Sequence, residues 1–310
     1  MKPKILLTGK NGQVGGELEH LLPRLGEVVA LDRQQLDLAR PAEIRRVVRE
    51  VRPDLIVNAV AYTAVDQAEK EEPAARAINA EAPAVLAEET KKIGATLVHY
   101  STDYVFDGSK RSPYEEDDPP NPINVYGRTK LAGELAIRQS GVAHLIFRTE
   151  WVYARQGRNF LLTILRLAAQ REELRIVSDQ IGAPTSNRDI ARATTQILSQ
   201  ILAPHAKRVS WPDASGTYHM TAAGETNWCE FAKAILEEAS QVDPPPAWLT
   251  TATGARPLMV QRIVPIRTED YPTPARRPAY SVLSNARLAQ TFGLQLPDWR
   301  SQLHSVFSDA

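Results

Sequence analysis

The start of the chain places the tightest constraint on the fold. Residues 4–8 (KILLT) are a short apolar run typical of a buried strand, and three glycines, Gly9, Gly12 and Gly15, follow at once. A helical pattern resumes over residues 17–22. Strand, glycine turn and helix in this order form a dinucleotide phosphate site, because glycines let the backbone approach a pyrophosphate at the helix N-terminus. The G-x-x-G-x-x-G spacing differs from the commoner G-x-G-x-x-G, but its context predicts nucleotide binding.

The same alternation of strand and helix continues along the chain. Apolar runs typical of strands recur at residues 27–31, 54–58, 95–100 and 142–147, with helical patterns at 44–51 and 72–93. This alternation predicts an α/β fold, a Rossmann-like doubly wound parallel sheet. Beyond residue 159 the alternation loosens. We therefore expect an NAD(P)-binding Rossmann domain over residues 1–155 and a smaller C-terminal α/β substrate-binding lobe over 156–310, with about 187–210 packing back on the first domain.

Polar residues stand where ligands bind in such sheets, at the carboxyl ends of the strands. Asp32 and Arg33 end the second strand. The acid would bond the adenosine ribose and favour NAD, whereas the arginine could accept a 2′-phosphate. Since both are present, the choice between NADH and NADPH stays open. Asp37 and Leu38 stand where adenine would be contacted, and the small Ala61 follows the third strand.

Two residues at the head of a later helix suit proton transfer. Tyr126 and Lys130 are four positions apart and would lie on one helix face. A free phenol has a pKa of about 10, and a neighbouring ammonium would lower that pKa towards the working range. The hydroxyl of Thr102, at the end of the fourth strand, could then hold a substrate carbonyl beside Tyr126. The alternative is a surface helix on which the two side chains only cover the first turn.

Composition excludes several classes of protein. The chain has 310 residues, 37 Lys+Arg and 37 Asp+Glu, so no basic field indicates nucleic acid. The single cysteine, Cys229, excludes an intramolecular disulfide and a cysteine-rich metal site. With no apolar run of membrane-spanning length and no signal peptide, we expect a cytoplasmic protein without membrane contact. Cys229 and His219 are expected to be packing residues.

Seven blocks together resemble the extended short-chain dehydrogenase/reductase family, and within it the dTDP-4-dehydrorhamnose reductases. They are residues 9–15, 54–61, 99–106, 124–130, 147–153, 179–185 and 271–278. The resemblance implies reduction of the C4 ketone of dTDP-4-dehydro-L-rhamnose by NADPH or NADH in a monomer or homodimer. Tyr126 would be the proton donor, Lys130 its partner and ribose ligand, and Thr102 the third catalytic residue.

The resemblance also implies two sets of binding residues. The cofactor would be held by Gly9, Gly12, Gln13, Val14, Gly15, Asp32, Arg33, Asp37, Leu38, Ala61, Tyr62, Thr63, Tyr126 and Lys130. The sugar nucleotide would be contacted by Thr102, Asp103, Tyr126, Lys130 and Trp151. To these we add Arg276 from the segment YPTPARRP, because a guanidinium is a strong phosphate ligand and the substrate carries a diphosphate.

The sequence departs from the family pattern at two places. Some members bind magnesium through glutamates shared across a dimer; Glu17 matches one of these, but Arg188 stands where a second is expected. A cation in place of a ligand argues against that site, so we predict no metal. The second departure is Glu150, where a serine is common before the tryptophan.

Two other functions compete with this prediction. The first is an NDP-sugar epimerase or dehydratase of the same fold. A dehydratase shows an acid pair after the threonine, whereas Asp103 is followed by Tyr104. The second is a nucleotide-binding regulatory subunit like that of methionine adenosyltransferase. A purely binding role does not require Thr102, Tyr126 and Lys130 together, which favours the enzyme.

Overall fold

A computed structural model describes residues 2–202 and 209–308. The strands are β1 (Lys4–Thr8), β2 (Glu27–Leu31), β3 (Leu55–Asn58), β4 (Thr96–Thr102), β5 (His144–Thr149), β6 (Val152–Tyr153), β7 (Glu173–Val177), β8 (Ile181–Gly182), β9 (Thr185–Ser186), β10 (Gly216–His219), β11 (Thr226–Asn227) and β12 (Arg262–Ile266). The α-helices are α1 (Gln13–Leu21), α2 (Pro41–Val51), α3 (Val65–Ala68), α4 (Glu72–Arg76), α5 (Ala82–Lys92), α6 (Val125–Ser140), α7 (Phe160–Ala168), α8 (Asn187–Leu202), α9 (Trp211–Ala214), α10 (Trp228–Gln241), α11 (Ala247–Thr253), α12 (Ala286–Phe292) and α13 (Trp299–Ser308).

A six-stranded sheet of order β2-β1-β3-β4-β5-β10 forms the centre of the molecule. All of its neighbouring strands pair in parallel, as predicted. The chain moves outward from β1 to β2 and then crosses to β3 on the other side of β1. That reversal opens a crevice at the carboxyl ends of β1 and β3, which is where ligands bind in doubly wound sheets.

Helices cover both faces of the sheet. On one face α1, α8 and α12 share a hydrophobic cluster with β1 and β5, and on the other α2, α5 and α6 pack on β1, β3 and β4. The segment 187–210, expected to pack back on the first domain, begins with α8, which packs on α1; residues 203–208 lie outside the described residues. A second cluster joins α7, α10, α11 and α13. Cys229 on α10 is buried, and His219 on β10 is buried against Phe106.

The long helix predicted over residues 72–93 is interrupted. A π-helical turn, Ala77–Glu81, separates α4 from α5 and carries the fully buried Asn79. The side chain of Asn79 accepts the Tyr62 backbone N–H at 2.8 Å and donates to the Tyr62 carbonyl at 3.1 Å and the Thr129 hydroxyl at 3.2 Å. The wide turn therefore ties the loop after β3 to α6. Such turns are frequent near functional sites.

Over residues 2–202 and 209–308, no helix is both long enough and apolar enough to cross a membrane.

Candidate active site

The glycine turn after β1 has the geometry of a phosphate-binding loop. Gly9 has a φ of +83°, and a Cβ there would lie 3.2 Å from the Ala59 carbonyl carbon. A Cβ on Gly15 would lie 2.0 Å from the carbonyl oxygen of Gly9, so α1 can pack on the turn only without a side chain. The helix begins at Gln13, with Gly12 as its N-cap and no side chain capping it. Its N-terminal amides are directed at the crevice, as a pyrophosphate requires.

A cavity of about 510 Å³ extends from this turn past the ends of β2 and β3. Its lining includes eight of the residues predicted to bind the cofactor, namely Gly9, Gly12, Asp32, Arg33, Asp37, Leu38, Ala61 and Tyr62. Asn11, Leu36, Ala39, Glu71, Ala74 and Ile78 also line it and were not predicted. Glu71 accepts the Tyr62 hydroxyl at 2.7 Å, a pairing between a loop and a helix that no local pattern indicates.

Charges of both signs meet where the adenosine ribose would lie. Asp32 accepts the backbone N–H groups of Gln34 and Gln35 and lies 4.0 Å from the Lys10 amine. The Arg33 side chain is 85% exposed, and its Nε lies 3.9 Å from an Asp37 carboxylate oxygen, a long ion pair that a 2′-phosphate could replace. Because both groups line the cavity, the structure, like the sequence, does not select between NADH and NADPH.

The remaining predicted cofactor residues lie around this cavity rather than in its lining. The side-chain oxygen of Gln13 accepts an N–H of Asn159 at 2.8 Å, linking α1 to the second lobe. Val14 packs on the first hydrophobic cluster, Gly15 is buried in the helix contact, and Thr63 is exposed.

The three predicted catalytic residues come together at the carboxyl end of β4. Thr102 is the last residue of that strand, and Tyr126 and Lys130 occupy successive turns of α6. The helix starts there because Asn124 caps it, accepting the Gly127 N–H at 2.8 Å. The Thr102 hydroxyl lies near enough to the Tyr126 phenol to lower its pKa.

Tyr126 also stands between two cavities. On one side its ring packs in a cluster with Tyr62, which lines the cofactor cavity. On the other side it makes an edge contact with Tyr104, at a centroid distance of 5.7 Å, and Tyr104 lines a second cavity.

Burial, not the lysine, dominates the pKa of Tyr126. The ring is half-buried, its hydroxyl end lies in the interior, and desolvation raises the pKa of the phenol above its ordinary value. The nearby Thr102 hydroxyl lowers that pKa, and the charge of Asp103 raises it further. The expected net lowering by Lys130 is therefore wrong for this structure: Tyr126 keeps its proton.

Lys130 is held by a buried chain of hydrogen bonds. Its amine donates to the Tyr100 carbonyl at 2.6 Å and lies 3.2 Å from Nε2 of His99. Asn58 accepts the Val60 backbone N–H through Oδ1, so its Nδ2 donates to Nδ1 of His99. Burial lowers the pKa of His99 well below its usual value. The neutral ring therefore carries its proton on Nε2, which can donate to Lys130 only when that amine is deprotonated. Burial lowers the pKa of Lys130 to about 8.

The second cavity has a volume of about 610 Å³ and lies between Tyr104 and the second lobe. It combines aromatic side chains with three arginines and an amide; these include Phe160, Trp228, Tyr271, Arg171, Arg175, Arg277 and Gln180. Trp151 stacks on Trp228 with ring centroids 3.5 Å apart, and its φ of +45° is rare for a tryptophan. Such strain is typical of functional sites. Aromatic faces and guanidinium groups are what a nucleotide diphosphate requires.

Arg277, not Arg276, is the arginine that lines this cavity. The side chain of Arg276 is exposed, while its carbonyl accepts an N–H of Asn124 at 2.8 Å. Arg277 is half-buried and forms a two-pronged ion pair with Asp66 at 2.5 and 2.7 Å. The substrate contact predicted for Arg276 stays a prediction, and the geometry adds Arg277, whose side chain lines the cavity.

Asp103 and Glu150 form a buried acidic pair behind the catalytic residues. The Thr102 hydroxyl donates to Asp103 at 2.9 Å, and the Ser281 hydroxyl donates to Glu150 at 3.0 Å. Gly182 on β8 covers the pair; a Cβ there would lie 2.7 Å from a Glu150 carboxylate oxygen. Sequence reasoning noticed Glu150 as a departure but missed its pairing with Asp103. No local sequence pattern predicts that Ser281, in the C-terminal segment, contacts Glu150.

The place of the family's magnesium site does not fit a metal. Glu17 and Arg188 line a further cavity of about 540 Å³, together with Lys10, Glu19 and Arg155. Three cations beside two carboxylates repel a divalent ion. Within residues 2–202 and 209–308, no group of three or more His, Cys, Asp or Glu could hold a metal ion.

Comparisons with known proteins agree with this geometry. A dTDP-4-dehydrorhamnose reductase of Burkholderia thailandensis is 53% identical over 297 residues, covering 96% of this chain and 95% of the relative. The protein of the same name from Escherichia coli K12 is 44% identical over 302 residues, covering 96% and 94%. The solved structure of a dTDP-4-dehydrorhamnose reductase from Bacillus anthracis in complex with NADP has a TM-score of 0.87 at 35% identity and covers 100% of both chains.

A family model covers almost the entire sequence. It is described as RmlD substrate binding domain, and it matches residues 2–310, so the match includes both the glycine turn and the second lobe. The resemblance found in the sequence is confirmed. The chain belongs to the RmlD substrate binding domain family.

Proposed function

We propose that this protein reduces the C4 ketone of dTDP-4-dehydro-L-rhamnose to dTDP-L-rhamnose with NAD(P)H, as the last step of dTDP-L-rhamnose synthesis. One observation carries the proposal. Thr102, Tyr126 and Lys130 meet at the end of β4, with a dinucleotide-shaped crevice on one side and an arginine-lined aromatic cavity on the other. The names of the relatives at 53% and 44% identity supply the sugar.

The crevice residues fit a nicotinamide dinucleotide. The α1 N-terminus and the glycine turn would hold the pyrophosphate, and Asp32 and Arg33 would hold the adenosine ribose. The small Ala61 would let the backbone after β3 lie close against the cofactor. When bound, NAD(P)H supplies the hydride that reduces the carbonyl carbon. Supporting roles for Gln13, Val14, Gly15 and Thr63 near the cofactor are part of the proposal.

The protein's own residues supply position and a proton. Tyr126 gives its hydroxyl proton to the oxygen at C4, and its raised pKa keeps that proton in place until a stronger base, the developing alkoxide, is formed. Thr102 orients the same oxygen. Lys130, fixed by Tyr100 and His99, binds the nicotinamide ribose.

The second cavity would hold the sugar nucleotide. Asp103 and Trp151 contact the sugar, and Arg277 contacts the diphosphate. The neighbouring Arg276, whose side chain is exposed, is the less favoured contact. The division into residues 1–155 and 156–310, the monomer or homodimer state and the cytoplasmic location also belong to this proposal. The location is supported by the single buried cysteine, which no oxidising compartment requires.

The decisive experiment follows the near-ultraviolet absorbance of NADPH, then of NADH, after addition of dTDP-4-dehydro-L-rhamnose, with and without EDTA. We expect rapid oxidation of the cofactor at a rate that EDTA does not change. UDP-glucose with NAD⁺ serves as the control for an epimerase. A folded protein that oxidises neither cofactor, and instead forms a stoichiometric complex with a synthetase, would contradict the enzyme and support the regulatory subunit.

A further inference from the structure

Two carboxyl groups outside the catalytic set are buried side by side behind Thr102. Asp103 is 2% exposed and Glu150 is 1% exposed. The strands that precede them are paired in register at Thr102 and Thr149. The Ser281 hydroxyl donates to Glu150 at 3.0 Å and lies near enough to Asp103 to lower the pKa of that carboxyl. One oxygen of each carboxyl, Oδ2 of Asp103 and Oε1 of Glu150, has no hydrogen-bond partner within the described part of the chain. Two neighbouring carboxyl groups so far from water cannot both be ionised.

The surrounding charged groups do not neutralise the pair. The cations are Arg148 on β5, paired with Glu134, Lys130 on α6, and Arg277, paired with Asp66. The phenols are those of Tyr104, Tyr126 and Tyr280, the last of them bonded to Glu225. Each of the cations is engaged elsewhere. Arg148 bonds Glu134 through two nitrogens, Lys130 bonds a backbone carbonyl, and Arg277 bonds Asp66. The phenols are uncharged at neutral pH and offer no compensation.

The pKa values have the direction that this burial requires. Burial raises the pKa of Asp103 to about 7. Burial, followed by the charge of Asp103, raises the pKa of Glu150 well above its usual value. The backbone N–H groups of Ala183 and Leu283 oppose the shift of Glu150 without reversing it. The pair therefore retains a proton at pH values where an isolated Asp103 would lose its own.

The direction of the hydrogen bonds makes that proton important for Thr102. A threonine hydroxyl has a single proton to donate. Here Thr102 donates it to Asp103 at 2.9 Å, while its oxygen accepts the Tyr104 backbone N–H at 3.1 Å. With Asp103 ionised, Thr102 has no proton left for a substrate oxygen. With Asp103 protonated, the bond reverses, and the Thr102 proton becomes available to Tyr126 and to the ketone.

We propose that Asp103, Ser281 and Glu150 hold one shared proton and pass it through Thr102 to Tyr126 in each turnover. The inference rests on the proposed reduction. It assigns Glu150 the role of a positioning residue, which acts on the reacting atoms through Ser281, Asp103 and Thr102.

The proton balance is closed along this chain. The Tyr126 O–H bond breaks as its proton joins the oxygen at C4. The phenolate takes the Thr102 proton, and Thr102 takes that of Asp103. The Asp103 carboxylate is refilled from Ser281, and Ser281 from Glu150. The sum is one proton moved from Glu150 to Tyr126, and water restores it after product release. The chain transfers no electrons.

The test is the pH dependence of kcat for the wild-type protein, Glu150→Gln and Ser281→Ala. Either substitution leaves Asp103 without a proton source. At about pH 6 all three should turn over alike, whereas at about pH 8 both variants should be roughly tenfold slower than wild type. Glu150→Gln removes the protonated neighbour of Asp103, and Ser281→Ala removes the hydroxyl that connects the two carboxyl groups. Thr149→Val is the matched control. Thr149 ends β5, directly before Glu150, and its buried hydroxyl has no hydrogen-bond partner among residues 2–202 and 209–308. The pH profile of this variant should therefore follow wild type.

The result that overturns the proposal is a loss of rate by the same factor at every pH, since this is what mere structural damage produces. A Glu150→Asp variant that restores the wild-type profile above neutral pH supports it. Infrared spectroscopy of the resting protein gives a readout without turnover. Wild type at about pH 8 should show the stretching band of a protonated carboxyl that Glu150→Gln lacks; a wild-type spectrum without that band overturns the shared proton. A wild-type protein that shows the band but does not reduce the sugar nucleotide contradicts the proposed function alone.

Discussion

At the scale of single residues, the surroundings of Tyr126 determine whether its phenol holds or releases a proton. A buried phenol with a raised pKa is a poor base but keeps the proton that a reduction consumes. The Lys130 amine is engaged by Tyr100 and His99, so it positions more than it acidifies. The local arrangement therefore keeps on Tyr126 the proton that ketone reduction consumes.

Replacing Tyr126 with Phe removes the proton donor and little else. We expect kcat to fall by about a hundredfold or more, since a positioned general acid contributes on that order, while the Kd for NADPH changes little. Steady-state kinetics and a fluorescence titration with NADPH measure the two quantities. Tyr218→Phe, which removes a hydroxyl bonded to Ala214 far from the crevice, should retain turnover. Loss of NADPH affinity in parallel with rate would mean that Tyr126 serves binding rather than proton transfer.

His99 is a second residue whose role can be measured. Its Nε2 lies 3.2 Å from the Lys130 amine, and Asn58 fixes its tautomer. We expect His99→Leu to lower kcat about tenfold or more, because a catalytic group displaced by about 1 Å loses much of its effect. His99→Gln, whose amide offers both an acceptor and a donor, should recover most of the rate. Equal damage by both substitutions would show that only packing matters at this site.

At the scale of secondary structure, prediction succeeded where one segment alone determines the outcome. The apolar run of β1, the glycine turn and the helical pattern over residues 44–51, which lies in α2, each give the structure that local physics requires. It failed where the outcome depends on a distant partner. The π turn at Asn79 exists because Tyr62 and Thr129 satisfy that amide, and neither is close to it in sequence.

The candidate site divides in the same way. Tyr126 and Lys130 were recognisable because four residues on a helix bring them to one face. The choice of Arg277 over Arg276 depends on the path of an irregular segment and on Asp66, and the pairing of Asp103 with Glu150 depends on strand order and on Ser281. Burial, which reverses the expected pKa shift of Tyr126, is a property of the whole fold and is absent from any motif.

The contact between the glycine turn and α1 can be tested with one methyl group. In Gly15→Ala the new Cβ would lie 2.0 Å from the Gly9 carbonyl oxygen, and a backbone atom cannot move aside cheaply. We expect α1 to shift, the unfolding free energy to fall by about 1–3 kcal/mol, and NADPH binding to weaken at least tenfold. Denaturant unfolding and an NADPH titration measure both. Gly216→Ala, where the nearest atom would be 3.8 Å away, is the control and should change neither quantity. Normal binding by Gly15→Ala would refute the close contact.

At the scale of the whole molecule, buried histidines link folding to pH. Burial lowers the pKa of His99, His144 and His219 below the ordinary 6.5, and that of His219 to about 3. Below pH 6.5 the unfolded chain therefore binds protons that the folded chain refuses, and stability must fall as the pH decreases. Asp103 and Glu150 act in the opposite sense. Their raised pKa values make the folded chain the better proton binder, so their contribution is present in acid and lost as the pH rises.

The contribution of His219 to the pH dependence of stability can be measured. Between pH 6.5 and about 3, its share of the lost stability is about 1.4 kcal/mol per pH unit. In His219→Leu that share disappears. The variant should be less stable than wild type at neutral pH, because it loses the edge contact with Phe106, yet its unfolding free energy should fall less steeply between about pH 6 and pH 4.5. Denaturant titrations across this range provide the slopes. His20→Leu, an exposed position on α1, should keep the wild-type slope. Parallel slopes for wild type and His219→Leu would show that His219 is protonated in the folded protein, and acid sensitivity would then have to originate from His99 and His144.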